Sequence, residues 1–152
     1  MTKTLSHTEF QGKIKTLAAK LHIMLLPPTA SMSYELIGVG KLGMRIATDL
    51  QNHLSALWQN PIGLSIIVPN LKKDAKTVWR HTPVEYNPNF HIRKILVDAV
   101  IYTGKTYKEL MELYLNAKFA TLYQVKPFPE AYSVEKIDKD VKINFPNTTE
   151  EN

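Results

Sequence analysis

Apolar residues recur along the chain at helical spacing in some stretches and as short continuous runs in others. Phe10, Ile14, Leu17 and Leu21 repeat at helical spacing and predict a helix over about 8–22, opened by a Ser6/Glu9 capping box and closed ahead of Pro27-Pro28. Tyr34 to Val39 reads as a strand with a mostly apolar end, Leu36-Ile37-Gly38-Val39. A glycine turn follows, Gly38-Val39-Gly40-Lys41-Leu42-Gly43, and then a helix over about 44–57 with Ile46, Ala47, Leu50, Leu54 and Leu57 on one face. The run Leu64-Ser65-Ile66-Ile67-Val68 within Gly63 to Pro69 predicts a buried strand, and Lys94-Ile95-Leu96-Val97-Asp98 another. A turn from Ala99 to Lys105 leads to a helix over about 106–117, capped by Thr106 with Glu109, with Leu110, Leu113, Tyr114 and Ala117 facing inward. Lys118 to Lys126 reads as a strand and Tyr132 to Glu135 as a short one; residues after Pro146 read as a disordered tail.

Strands that alternate with helices and carry continuous apolar runs predict an α/β fold, a mostly parallel sheet flanked by helices. The 152 residues fit one domain. Between Asn70 and Asn89 the periodicity breaks down. That stretch is basic and proline-bearing, and a loop acting as a lid and an exposed β-hairpin fit it equally well. Lys72, Lys73, Lys76, Arg80 and His81 surround Trp79 there. The run suits closure over an anionic ligand, a nucleic-acid backbone with Trp79 stacking on a base, or a solvated surface with Trp79 turned inward.

Composition narrows the chemistry. The apolar and charged shares, 44% and 22%, are those of a soluble globular chain. The absence of cysteine excludes a disulfide scaffold, a thiol nucleophile and a cysteine zinc site. The N-terminus lacks the apolar core of a signal peptide and no run is long enough to span a bilayer, so a cytoplasmic, non-membrane protein is expected. The Asn147 sequon then carries no meaning. A net charge of +5 favours anionic partners, although a solvated basic surface also accounts for it. His7, His22, His53, His81 and His91 include no pair at metal-ligand spacing on one element, and no GxSxG elbow is present.

The most informative segment runs from Lys94 to Leu110. An apolar strand ends at an acid, Asp98, and a short turn delivers Thr103-Gly104-Lys105-Thr106 onto a helix N-terminus. Such a terminus presents unpaired N–H groups and a partial positive charge, and glycine lets an anion approach the backbone. A tight strand-to-helix turn capped by Thr106 explains the same residues without a ligand. The Walker pattern is absent.

This segment resembles the signature of the type I phosphoribosyltransferases: an apolar strand, two acids, a short apolar stretch and T-G-x-T. The resemblance implies that Asp98 holds ribose hydroxyls of phosphoribosyl pyrophosphate, and that Thr103, Gly104, Lys105 and Thr106 hold its 5′-phosphate. Ala99 stands where the second acid is expected, so restoring an acid at 99 is expected to strengthen the grip on ribose. Tyr102 stands where many purine-specific members carry the catalytic acid. Upstream, Gly40, Lys41, Leu42 and Gly43 resemble the pyrophosphate-binding turn, with Lys41 in the usual place of arginine and Leu42 in that of a glycine. Asn116 to Pro146 resembles the end of the bacterial xanthine-guanine phosphoribosyltransferases. Lys126-Pro127 match a Lys-Pro pair whose lysine reads the base, and Lys142 falls where a stacking tryptophan would be.

The family layout adds a small hood from the terminal segments. It implies transfer of the 5-phosphoribosyl group from phosphoribosyl pyrophosphate to a nucleobase, of purine salvage type, with Mg²⁺. Asp98 would meet the metal, Lys41 and Tyr102 would join Asp98 at the reacting centre, and the protein would be a homo-oligomer. A non-catalytic sensor or regulator that binds a nucleotide or phosphoribosyl pyrophosphate is the alternative on the same fold, and an unrelated nucleotide-binding α/β protein is a third reading.

Overall fold

In the computed structural model, the described residues are 1–73, 76–85 and 91–146. The elements in chain order are β1 (Thr2–Thr4), α1 (His7–Met24), β2 (Met32–Val39), α2 (Gly40–Trp58), β3 (Gly63–Lys73), β4 (Lys76–Glu85), β5 (His91–Ile101), α3 (Lys105–Leu113), β6 (Lys118–Gln124), β7 (Ala131–Lys136) and β8 (Lys142–Asn144). Six strands form one sheet in the order β4-β3-β2-β5-β6-β7. All neighbours are parallel except β3 and β4, so the α/β, mostly parallel architecture is the one observed.

Side-chain alternation along the strands divides the core in two. Leu36 of β2 and Ile95 and Val97 of β5 pack with Phe10, Ile14 and Leu17 of α1 and Ile46 and Leu50 of α2. On the opposite face Ile37, Val39, Leu96 and Phe119 pack with Leu110 of α3. Both faces of the central strands are therefore covered, which is why their sequences read as unbroken apolar runs. Each fully buried leucine or isoleucine in these layers contributes about 1.5–3 kcal/mol over an exposed one.

Local chemistry sets the helix ends. Ser6 accepts the Glu9 N–H at 3.1 Å and the Glu9 carboxylate accepts the Ser6 N–H at 3.0 Å, the capping box expected for α1. The second capping box does not form. The N-cap of α3 is Gly104, with no side-chain cap, and Thr106 lies inside the helix. The glycine turn after β2 also contracts: α2 begins at Gly40, whose φ of +70° swings the chain straight from strand to helix. The turn expected from Ala99 begins only at Tyr102, because β5 runs on to Ile101. α3 ends at Leu113, which is 56% exposed rather than inward-facing.

Of the two readings of the basic stretch, the hairpin is observed. β3 continues to Lys73 and β4 returns antiparallel beside it, pairing Val68 with Arg80 and Pro69 with Trp79. Trp79 packs against the α3-side core. Residues 74–75 and 86–90 lie outside the described residues, as does the segment 147–152 for which a tail is expected.

The terminal segments form a hood. β1 and β8 pair in parallel as a separate two-stranded sheet, with Thr2 opposite Lys142 and Thr4 opposite Asn144. Lys3 meets Glu135 of β7 at 3.2 Å, and Lys13 of α1 reaches the same carboxylate. The Lys13 hydrogen bond is the main cause holding the Glu135 carboxyl below its ordinary range. The hood is thus tied to the end of the large sheet where the parallel strands finish. Among the described residues no helix is long and apolar enough to cross a membrane.

Candidate functional site

The carboxyl end of β5 opens into a recess of about 290 Å³ lined by Asp98, Val100 to Tyr107, and Phe119. Crevices at these strand ends are where open parallel sheets take ligands. Asp98 and the Thr103–Thr106 turn, paired by the sequence reading, share this recess. Gly104 adopts φ +86°, and a Cβ there would lie 2.6 Å from Cε1 of Phe128. The residue must therefore be glycine on conformational and on steric grounds.

Beyond Gly104 the backbone of α3 is short of partners. The Lys108 N–H reaches the Gly104 carbonyl at 2.8 Å, and the Lys105 N–H is held weakly by the Thr103 hydroxyl at 3.3 Å. Thr103 Oγ1 is thus an acceptor in this turn. Among the described residues nothing accepts the N–H of Thr106 or Tyr107. No acid stands in the first turn of α3, and Lys105 begins it. Two free amides, a helix N-terminus and a lysine give the mouth of α3 the character of an anion site.

Asp98 forms the opposite wall. Its Oδ1 accepts the Ala99 N–H at 2.7 Å. Burial pushes the carboxyl from an ordinary 3.8 up to about 7, against the weaker pull of that amide. Because the folded value lies above the unfolded one, the folded protein binds this proton more tightly. Its contribution to stability is full below about pH 4 and is lost as pH rises to about 7. Asp98→Asn removes that loss. In thermal melts from pH 4 to 8 the variant should gain on the wild type through this window, and a constant difference would mean that the carboxyl is not desolvated.

The remaining expected residues divide. Ala99 is 4% exposed and belongs to the core layer under α1 and α2, while Asp98 lines the recess. The expectation that an acid at 99 would grip ribose is therefore corrected: strand alternation points that position into apolar packing, where a carboxylate would be buried. In the upstream turn, a Cβ on Gly43 would lie 2.6 Å from the Val97 carbonyl oxygen, and Leu42 packs against the core. These two residues seat α2 on the sheet. Gly40 and the exposed Lys41 stand at the strand ends, beside β5 across the β2–β5 pairing.

Tyr102 donates its hydroxyl to the Val141 carbonyl at 3.0 Å, joining the phosphate-type turn to the hood. In this arrangement the hydroxyl proton is shared with an amide oxygen. Lys126 is exposed, with its ammonium 5.6 Å from the Phe128 ring centre. Lys142 is exposed at the start of β8, next to Val141. Neither lines the recess. Phe128, which the sequence motifs do not single out, packs between Gly104 and Tyr107, with the Phe128 and Tyr107 rings 5.1 Å apart. The signal available was an aromatic between Pro127 and Pro129, a stiff segment able to hold a ring in place.

The residues present do not fit a resident Mg²⁺. Among the described residues no three His, Asp or Glu side chains gather. Asp98 is the single carboxylate of the recess, with one oxygen held by backbone and a raised affinity for its proton.

With this geometry in place, the chain can be set beside solved structures. A purine phosphoribosyltransferase from Pyrococcus horikoshii Ot3 matches with a TM-score of 0.67 at 23% identity, over 95% of this chain and 92% of that one. A hypoxanthine phosphoribosyltransferase from Trypanosoma cruzi, a mutant complexed with the product IMP, gives 0.61 at 17% identity over 86% and 74%. A hypothetical protein from Neisseria gonorrhoeae with bound ppGpp gives 0.59 at 16% identity over 96% and 89%. No family model matches the sequence, and no curated protein does. At these identities the likeness establishes the fold: the chain is built as the type I phosphoribosyltransferases are.

Proposed function

We propose that the recess at the end of β5 binds a 5-phosphorylated ribose, and that the protein transfers the 5-phosphoribosyl group from its pyrophosphate to a nucleobase, with a purine favoured by the neighbouring folds. The observation that carries this reading is the pair of unpartnered amides, Thr106 and Tyr107, opening on the same recess as Asp98. The amides and Lys105 hold the phosphate, and Asp98 hydrogen-bonds a ribose hydroxyl. Lys41, at the end of the adjacent strand, offers a positive charge to the departing pyrophosphate. It acts as a point charge without the bidentate fork of arginine. Mg²⁺ belongs to the donor, carried on its diphosphate. The C1–pyrophosphate bond breaks as a nucleobase nitrogen bonds C1, pyrophosphate leaves and the nitrogen's proton passes to water; positive charge develops on the ribose, so the protein's contribution is mainly electrostatic and positional. Lys126, exposed outside the recess, is the residue we assign to the base.

A sensor on the same site is the second reading, favoured by the Tyr102 hydroxyl being tied to Val141 and by the lack of a second carboxylate in the recess. One assay separates them. Pyrophosphate release is followed with phosphoribosyl pyrophosphate, Mg²⁺ and a panel of purine and pyrimidine bases, alongside thermal melts with the donor alone. Turnover with any base supports the transferase. A raised melting temperature without turnover supports the sensor, and neither effect rejects both. A cytoplasmic setting and assembly into homo-oligomers belong to this proposal as well.

A further inference from the structure

The apolar run Ile23-Met24-Leu25-Leu26, which closes α1 ahead of Pro27-Pro28, is left mostly in water. Only Leu25 is buried, while Ile23 is 78%, Met24 58% and Leu26 62% exposed. A second apolar projection stands at the end of α3. Leu115 lies on the turn between α3 and β6 and is 80% exposed, next to Asn116 at φ +66°. Water disfavours such surface by about 25 cal/mol per Å². Apolar side chains clustered outside the core mark a contact surface.

These projections border one groove. A space of about 880 Å³ is lined by Met24 and Leu26 on one rim, Leu115 on the other, and Tyr34, Arg93 and Glu130 among its walls. Tyr34 and Arg93 are register partners near the starts of β2 and β5. The groove therefore lies at the amino end of the sheet, and the recess at the carboxyl end of β5 faces away from it.

The groove also carries both signs of charge. Arg93 is exposed and, among the described residues, has no hydrogen bond or ion pair. Glu130 is bonded to Lys118, yet its side chain is 52% exposed, and a carboxylate can accept from more than one cation. A partner that suits this face brings apolar projections to the groove, a carboxylate to Arg93 and a cation to Glu130. A second copy of the chain brings all three from the same face, which is the self-complementarity that a two-fold contact requires.

We propose that two copies of the protein associate through this face about a two-fold axis. Met24, Leu26 and Leu115 of each copy enter the other's groove, and Arg93 meets Glu130 of the partner subunit twice over. This gives the homo-oligomer of the proposed function a surface and leaves both recesses open at the outer ends of the pair. It does not depend on what the recess binds.

Sedimentation equilibrium on the wild type, Leu115→Asp, Arg93→Glu, Glu130→Arg and the double variant Arg93→Glu/Glu130→Arg tests it. The wild type should be a dimer. Its dissociation constant should rise at least tenfold in Leu115→Asp, where a charge enters the apolar contact. It should rise about fivefold or more in each charge variant, and the double variant should regain most of that loss. All of these side chains are exposed, so circular dichroism melts at a concentration where each protein is monomeric should stay close to the wild type. A wild type that remains a monomer up to its solubility limit overturns the proposal. Variants that dimerise as tightly as the wild type place the contact on another face and overturn it too. A double variant no tighter than the weaker single one removes the crossed pair, and with it the two-fold arrangement. Ribose 5-phosphate is titrated into the wild type alongside: a dimer that does not bind it upholds this inference and rejects the recess reading alone.

Discussion

Gly104→Val should reduce the affinity for ribose 5-phosphate by more than a hundredfold while the far-ultraviolet circular dichroism stays that of the wild type. A β-branched residue at φ +86° is held in a region that L-residues avoid, and its Cβ would stand 2.6 Å from the Phe128 ring. Phe128 cannot retreat freely, because it packs with Tyr107 in the core layer under α3. Relief must come from the turn, which moves the first amides of α3 off the ligand. Two hydrogen bonds to a charged phosphate, at roughly 1.5–3 kcal/mol each, are then lost or bent. The fold survives because the strain falls on the turn before α3, while the α1–α2 layer on the other face of the sheet is untouched. Calorimetric titration reads the effect, and an unchanged constant would mean that the turn does not hold the phosphate.

The largest loss of stability is expected at Gly38. A Cβ there would lie 2.4 Å from Cα and 2.7 Å from N of Met44, and 2.9 Å from C of Gly43. All three are backbone atoms of α2, so no side chain can turn away. Gly43 is pressed in the same manner toward the Val97 carbonyl, and the two glycines together let α2 lie directly on β2 and β5. Even alanine at 38 must lift the helix off the sheet. Overpacking a rigid contact costs about 3 kcal/mol, which for a chain of this size lowers the melting temperature by roughly 10 °C. Differential scanning calorimetry of Gly38→Ala checks this. A melting point within about 2 °C of wild type would show that α2 has slack at its first turn.

These two glycines mark what could and could not be read from the chain. The order of strands and helices was legible because Leu36-Ile37 and Ile95-Leu96-Val97 are buried on both faces and their neighbours keep helical spacing. The strand, acid, turn and helix from Lys94 to Leu110 were legible because all of their parts are local in sequence. The role of Gly43 was not, since spacing alone cannot tell a glycine that contacts a ligand from one that lets a helix approach a strand. Ala99 was misjudged because β5 runs three residues past Asp98, so alternation continues through the position and turns it inward. Phe128 and Val141 reach the site from 24 and 39 residues away, as the contacts at Gly104 and Tyr102 show, and no local pattern signals such contacts. The strands of the hood, three residues each, are too short to show a period, although a hood was expected from the family layout. The Thr106/Glu109 capping pattern was present but unused, and its absence is what leaves the amides of α3 free for a ligand.

The function of the recess turns on whether those amides meet a phosphate. The direct measurement is a titration of the ¹⁵N-labelled protein with ribose 5-phosphate, followed by amide proton shifts. The N–H signals of Thr106 and Tyr107 should move downfield by more than any others and saturate together, as expected for hydrogen bonds formed to a phosphoryl oxygen. Saturable shifts that leave both amides in place would put the phosphate elsewhere and contradict the reading of the recess.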